Sequence, residues 1–329
     1  MEINKKDIKK ILFISLSNLG DIILTTPVFI KLHEEYPKAD IDVVTGMAGR
    51  EIFAPHSAVR NVFVPERPRS FDKRLEELSR FRKNKYDMVV DMKNSLIPYF
   101  VGAKFHSGFN LNIQKLFFKK TLHKMEEHLN KIKNMVENPF RENKFFIPIA
   151  ISEKEYIDKN FLNTTKKVIM NPGAKNHMKR WPASKYALLA DKLIKELNVS
   201  VIFTGAKEDL EIVNAVRTKM KKESINFCGK TSLGALSELI KRSNMIITND
   251  SAPLHVASAV NTPTIAIFGP TDEKKYGPLS KMNAVLKPNK KCRPCNRSGC
   301  PKGLHDGCIS DVRVEDVFNF AQQILKEEG

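Results

Sequence analysis

Short runs of Val, Ile and Leu alternate with helical patterns along this chain, and the alternation is played through twice. In the first half, ILFISL (11–16), IDVVTG (41–46), NVFVP (61–65) and DMVVDM (87–92) read as strands buried on both faces. Helical spacing falls between them, over Thr26–Tyr36 and Phe71–Arg82. The rhythm lapses in FFIPIAISEKEYIDKNFLNTTKK (145–167) and then restarts. VIMNPG (168–173), VSVIFTG (199–205), INFCG, NMIITND (244–250) and TPTIAIFGPTD (262–272) are the second set of strands, and RVEDVFNFAQQILKEEG is a terminal amphipathic helix. Such a βαβ rhythm predicts an α/β fold of two Rossmann-like domains, residues 1–160 and 161–329, with a ligand cleft between them. A chain of 329 residues is long enough for both cores.

The first turn carries a carboxylate where phosphate would be expected. SNLGDIILTTP (17–27) places Asp21 directly after Gly20, between the first strand and the helical pattern IILTTPVFIKLHEEY. Neither the dinucleotide fingerprint GxGxxG nor a Walker A sequence follows that strand. Gly20 would let the backbone turn tightly, and Asp21 would point at a substrate hydroxyl or cap a helix beginning near Ile22.

Anion-binding features cluster in the second half. VIMNPGAKNHMKRWP puts Lys175, Lys179 and Arg180 on a strand-to-helix loop, with Pro182 opening the helix. Cations there neutralise a pyrophosphate, while Trp181 anchors the loop to the core. FTGAKEDLE offers Glu208 and Asp209 just beyond a strand end, either to ribose hydroxyls or to the helix dipole. In TNDSAPLHVASAV, Ser251 and the following backbone N–H groups would face an anion, with Ala252, Ala257 and Ala259 permitting close approach. Asp250 or Ser251 as helix cap and His255 as a core residue are the alternatives.

The net charge of +18, from 55 Lys and Arg against 37 Asp and Glu, calls for anionic partners. PERPRSFDKRLEELSRFRKNK (65–85) and KLFFKKTLHKMEEHLNKIK (115–133) concentrate the excess. The second mixes Phe and Leu with Lys as an interfacial helix does, although an exposed helix over the core has the same pattern. The basic residues form no recognised nucleic-acid module, so nucleic acid is not expected. No apolar stretch reaches the roughly 18 residues of a membrane span, and no secretory signal is evident, so a cytoplasmic location is expected.

Late in the chain, CRPCNRSGCPKGLHDGC spaces Cys292, Cys295, Cys300 and Cys308 as C-x2-C-x4-C-x7-C around His305. Four thiolates suit a structural zinc, an iron–sulfur cluster has similar needs, and reduced thiols or disulfides complete the options. Cys228 reads as a small buried residue.

Taken in order, SNLGDIILTTP, NPGAKNHMKRWP, FTGAKEDLE, TNDSAPLHVASAVNTPTIAIFGPTD and the late cysteines resemble the glycosyltransferase family 9 heptosyltransferases over nearly the whole chain. The resemblance implies a GT-B fold with the nucleotide sugar held by the second domain. It also implies inverting, metal-independent transfer from ADP-heptose to a lipopolysaccharide core or lipid A-linked acceptor. The enzyme would then work at the inner face of the cytoplasmic membrane, where positive charge meets phosphorylated glycolipid and anionic lipid.

By motif, Asp21 matches the general base, with Asn18 and Gly20 on the acceptor side. Lys179 matches the phosphate-binding lysine and Asp209 the acid that contacts ribose. Asp250, Ser251, Ala252, Pro253 and His255 fall on the loop and helix start that hold the donor. Ser251-Ala252 stands where familiar members carry Thr-Gly, and Ala174 and Lys175 where some carry threonines. No DxD metal pair is evident, so the second-domain cations would do a metal's work at the leaving group. A GT-B nucleotide-sugar epimerase or binder is the alternative, followed by a nucleic-acid-binding protein that uses the basic surface and the Cys knuckle.

Overall fold

In the computed structural model the chain divides into two compact units, residues 1–148 and 149–329. The structure describes residues 4–65, 71–107, 121–142, 144–160, 166–300, 303 and 307–327. No helix among the described residues is long and apolar enough to cross a membrane.

The first unit is a parallel sheet of β1 (Lys10–Ile14), β2 (Asp40–Val44), β3 (Val59–Phe63), β4 (Met88–Asp91) and β5 (Phe105–His106), in the order β3-β2-β1-β4-β5. The central strands are buried almost throughout, which is why they read as continuous apolar runs. One face packs Phe13, Phe29 and Phe53 in tilted and T-shaped pairs with ring centres 5.2–5.9 Å apart. The other packs Leu12, Ile14 and Val89 against Phe81 and Tyr86. The described residues add the helices α1 (Leu19–Glu35), α2 (Met47–Phe53), α3 (Phe71–Lys83), α4 (Ile97–Val101) and α5 (Lys124–Asn130).

Helix α1 contains Pro27, which has no N–H to give the Ile23 carbonyl. The Thr26 hydroxyl donates to that carbonyl at 2.8 Å instead, so the TTP of the first motif repairs its own break. Thr25 makes the equivalent bond to Ile22 and meets Ser15 Oγ at 2.8 Å, fastening the helix to the end of β1.

The second unit opens with α6 (Ile151–Asn160). Its sheet comprises β6 (Lys167–Asn171), β7 (Ser200–Phe203), β8 (Ile225–Asn226), β9 (Met245–Asn249), β10 (Thr264–Ile267) and β11 (Asn283–Leu286), in the order β11-β10-β9-β6-β7-β8. Around it lie α7 (Ala183–Leu197), α8 (Leu210–Arg217), α9 (Leu233–Lys241), α10 (Ala252–Val260), α11 (Glu273–Tyr276) and α12 (Val314–Glu327). Both sheets reverse their strand order once, between β1 and β4 in the first unit and between β6 and β9 in the second. In doubly wound sheets, ligands bind at the carboxyl ends of the strands at this point.

Three sequence expectations change. The units part at residues 148/149 rather than at 160, because α6 belongs to the second unit, bonding Glu153 to Ser232 and Asp158 to Arg242. Only Ile157 of α6 is buried, so its sequence carries no apolar period to read. The described part of the supposed interfacial helix, α5, buries Met125, His128 and Leu129 and packs on α1; residues 108–120 lie outside the described residues. Helix α1 begins at Leu19, so Gly20 sits in its first turn rather than in a tight turn before it.

Candidate functional site

In the first unit the switch point is occupied by the loop from β1 into α1. Asn18 takes the N-cap position of α1, and Asp21 lies in the first helical turn, so Asp21 is not the cap. Asn18 Nδ2 donates to Asp21 Oδ2 at 3.2 Å and orients the half-buried carboxylate. The loop is held from the β2 side. Gly46 N–H donates to Leu16 O at 3.1 Å, and Thr45 Oγ1 donates to the same carbonyl at 3.2 Å. A Cβ on Gly46 would stand 2.7 Å from Ser17 O, so only glycine fits.

The β4 side supplies a second brace that sequence reading missed. Buried Asp91 accepts from Lys93 N–H and from the Ser95 backbone and hydroxyl. Lys131 Nζ donates to Asp91 O, Met92 O and Asn94 Oδ1 at 2.9, 3.0 and 2.6 Å. Burial pushes the Lys131 ammonium down to about 8. Its signal in the sequence was one lysine among many.

The same unit has an open groove of about 1150 Å3 between β3 and α3, lined in part by Arg50, Arg60, Arg80 and Lys83 with Phe63 and Phe81. Arg60 is tied to the fully buried Asp42, which also accepts from Tyr86 at 2.6 Å and Asn61 at 3.0 Å.

In the second unit, three strand ends are laced together. Asn171 Nδ2 donates to Thr204 O at 3.0 Å, and Asn249 Nδ2 donates to Pro172 O at 2.8 Å. Asn249 Oδ1 accepts from Trp181 N–H and from the Tyr186 hydroxyl. Trp181 is buried against Tyr186 and donates Nε1 to Val312 O at 3.1 Å, so it anchors the loop. Asn171, Asn249 and Tyr186 are supports that sequence reading passed over, because buried polar residues show no period.

This lacing presents Lys179 beside the end of β9. Its ammonium lies 2.7 Å from Asp250 Oδ2, and the Thr271 hydroxyl donates to the same oxygen. Asp250 is 6% exposed and Lys179 25%. Ser251 occupies the N-cap of α10 but its side chain makes no capping bond. The half-buried Ser251, Ala252 and Pro253 open the helix, with Leu254 N–H closing back on Ser251 O at 3.1 Å, while His255 is buried one turn in.

Asp209 ends a short 3-10 turn and accepts from Ala206 N–H at 3.1 Å. Its carboxylate fills the space beside two glycines: a Cβ on Gly173 would meet it at 2.4 Å, and one on Gly205 would meet its Cβ at 2.9 Å. The β6 and β7 turns thus close on one acid. Ala174 is buried, with its carbonyl taken by Arg180 Nε at 2.8 Å, whereas Lys175 is exposed. Cys228 is buried, its thiol donating to Ala206 O and pushed up to about 11 by burial.

Cys292, Cys295, Cys300 and Cys308 line one cavity of about 90 Å3 with Met178 and Arg293. All four are free thiols, and among the described residues no three His, Cys, Asp or Glu side chains converge as ligands of an ion. His305 lies outside the described residues.

Two doubly wound units, each with its polar groups at the carboxyl ends of the strands, define an α/β enzyme of the GT-B fold. The chain belongs to glycosyltransferase family 9 (heptosyltransferase), whose model matches residues 75–305. It is 27% identical to lipooligosaccharide heptosyltransferase 2 of Campylobacter jejuni, over 94% of this chain and 96% of that one. It is similar in structure to the Escherichia coli ADP-heptose lipopolysaccharide heptosyltransferase II, with a TM-score of 0.73 and 25% identity over 97% of this chain and 100% of that one. The family 9 glycosyltransferase of Veillonella parvula shares the fold at a TM-score of 0.79 and 24% identity, covering 98% of this chain and 99% of that one.

Proposed function

We propose that this glycosyltransferase moves heptose from ADP-heptose to a lipopolysaccharide core or lipid A-linked acceptor, inverting the anomeric centre, at the inner face of the cytoplasmic membrane. The observation that carries the reading is the Lys179–Asp250 pair beside the N-terminus of α10. A cation beside the positive end of a helix dipole suits a diphosphate.

In this reading Asp21 takes the proton from the acceptor hydroxyl as its oxygen bonds to the anomeric carbon. The bond from that carbon to the diphosphate oxygen breaks on the opposite face. ADP leaves as an anion, stabilised by Lys179 and the α10 N-terminus near Ser251, Ala252 and Pro253. Asp250 holds Lys179, His255 lines the donor's helix, Asp209 meets the ribose, and Ala174 and Lys175 border the phosphates. Asn18 and Gly20 stand on the acceptor side. In the β3–α3 groove Arg50, Arg60, Arg80 and Lys83 outnumber Glu76 and Glu77, which favours an anionic acceptor. The four late cysteines share a cavity but do not converge as ligands as they stand, so a structural zinc there, a separate part of the proposal, requires them to draw together; the metal content of purified protein before and after Cys292→Ser and Cys308→Ser checks it.

The test is a transfer assay with labelled ADP-heptose and a purified core acceptor, with the new linkage read by NMR. A product of opposite anomeric configuration to the donor supports the reading. Epimerised or hydrolysed donor without transfer overturns it, as does retention of configuration. A thermal-shift series with ADP-, GDP-, UDP- and CMP-sugars checks the base, since the cognate donor stabilises the fold most.

A further inference from the structure

Helix α4 turns two opposite faces to two different surroundings. Val101 is buried and Ile97 packs against the same cluster, with Leu12, Ile14 and Val89 of the sheet. Leu96, Tyr99 and Phe100 point the other way, 59%, 52% and 57% exposed. Spaced i, i+3 and i+4, they share one side of the turn. Ten large apolar side chains stand exposed among the described residues, and only here do three fall within five positions. Met47, at 71% the second most exposed of the ten, opens α2 at the same carboxyl edge of the first sheet.

Charge marks the same stretch. Acids make up 37 of the 329 residues, yet none occurs in the sequence between Asp91 and Glu126, where there are six lysines. Lys93 and Lys104, both exposed, flank α4, and Lys104 Nζ lies 5.2 Å from the centre of the Phe105 ring. Tyr99 rests edge-on against His106 with ring centres 4.9 Å apart, which fixes an aromatic side chain outward without burying it. Exposed aromatic and leucine side chains flanked by Lys93 and Lys104, with Glu77 of the neighbouring α3 the carboxylate that faces Lys93, fit a surface that is apolar beneath and negative on top. That describes an anionic phospholipid bilayer: rings settle at the headgroup level while lysines meet phosphate. Another protein surface would more often supply some positive groups of its own, and the segment that carries the patch has no acid to receive them.

We propose that Leu96, Tyr99 and Phe100, with Lys93 and Lys104, form the surface by which the chain docks on anionic membrane. The β1–α1 loop carrying Asp21 stands at the same sheet edge, one strand away from the turn that leads into α4. Docking there brings that edge to the bilayer. The inference deepens the proposed function, since it rests on an acceptor anchored in a membrane, but it is tested apart from it.

The experiment is co-sedimentation of the full chain with vesicles of phosphatidylcholine alone and with phosphatidylglycerol added, using no acceptor. The expected result is binding about tenfold stronger to the anionic vesicles and weakened by salt. Leu96→Ser/Tyr99→Ser/Phe100→Ser and, separately, Lys93→Glu/Lys104→Glu should each lower it about tenfold, with unchanged thermal unfolding. Transfer to a deacylated, water-soluble acceptor should be unaffected in both. Equal binding to both vesicle types, or unchanged binding by the folded variants, overturns the proposal. So does a dimer of the parent chain that the triple substitution dissociates, which would assign the patch to a second copy. Failure of transfer in the parent with vesicle binding intact overturns the functional reading and leaves the surface standing.

Discussion

Lys179 Nζ lies 2.7 Å from Asp250 Oδ2, so the cation best placed to meet a donor phosphate already holds a carboxylate partner. The pair is largely shielded, and Thr271 gives Asp250 a further hydrogen bond. Removing either member leaves the other as an unmatched charge. Lys179→Ala should lower stability by about 1–3 kcal/mol and weaken ADP-sugar binding at least about tenfold. Lys179→Met/Asp250→Asn should recover part of the stability but none of the binding. Urea denaturation and calorimetric titration of the three proteins check this, and a double variant no more stable than Lys179→Ala would sink it.

Asp21 makes its one described side-chain hydrogen bond to Asn18 and is half-buried, so its loss should leave the fold intact. Asp21→Asn should reduce transfer by about 10²–10⁴-fold with donor affinity nearly unchanged. Steady-state rates beside titration of ADP-heptose measure both. Unaltered turnover would remove Asp21 from the chemistry.

Gly46 supports that loop from the neighbouring turn. A methyl at Gly46 would press on Ser17 O at 2.7 Å, and backbone on both sides leaves little room to yield. Gly46→Ala should cost about 1–3 kcal/mol and slow transfer while sparing donor binding, which belongs to the second unit. Gly299→Ala is the control, because nothing lies within 4 Å of its Cβ position and its φ is not positive. Equal effects of the two on transfer would contradict the bracing role.

His128 on α5 is held neutral, its imidazole pushed down to about 3 chiefly by burial and then by Lys131 and Lys124. In the unfolded chain it titrates near 6.5, so there it gains a proton that the native state refuses. Stability is therefore complete above about pH 6.5 and falls as pH drops from there toward about 3. His128→Leu should flatten that fall in urea midpoints measured across the range. An identical pH slope in parent and variant would show that other groups carry it.

The strands could be read because both faces of each central strand are buried, so ILFISL, DMVVDM and NMIITND stand out as unbroken apolar runs. Helix α6 and the edge strands β5 and β11 could not, since one buried isoleucine or a few half-buried positions leave no period. In the site, the motif residues Asp21, Lys179, Asp209 and Asp250–His255 were legible because their chemistry sits next to strand ends. Their supports were not. Asn171, Asn249, Tyr186, Lys131 and Gly46 look ordinary along the chain and acquire a role only from partners far away in it.

The sequence alone therefore determined the α/β class, the two-part organisation, the family and the strand ends at which polar groups gather. These follow from local periodicity and short motifs, which are properties of neighbouring residues. Tertiary structure alone decided that Lys179 pairs with Asp250, that Asp209 fills the space beside Gly173 and Gly205, and that Asn18 rather than Asp21 stands at the cap of α1. It also decided that the described part of the basic stretch 115–133 turns inward while α4 turns three apolar side chains out. Such outcomes depend on which strands lie side by side and on how closely their turns pack, and close packing between distant segments leaves no mark on the order of residues.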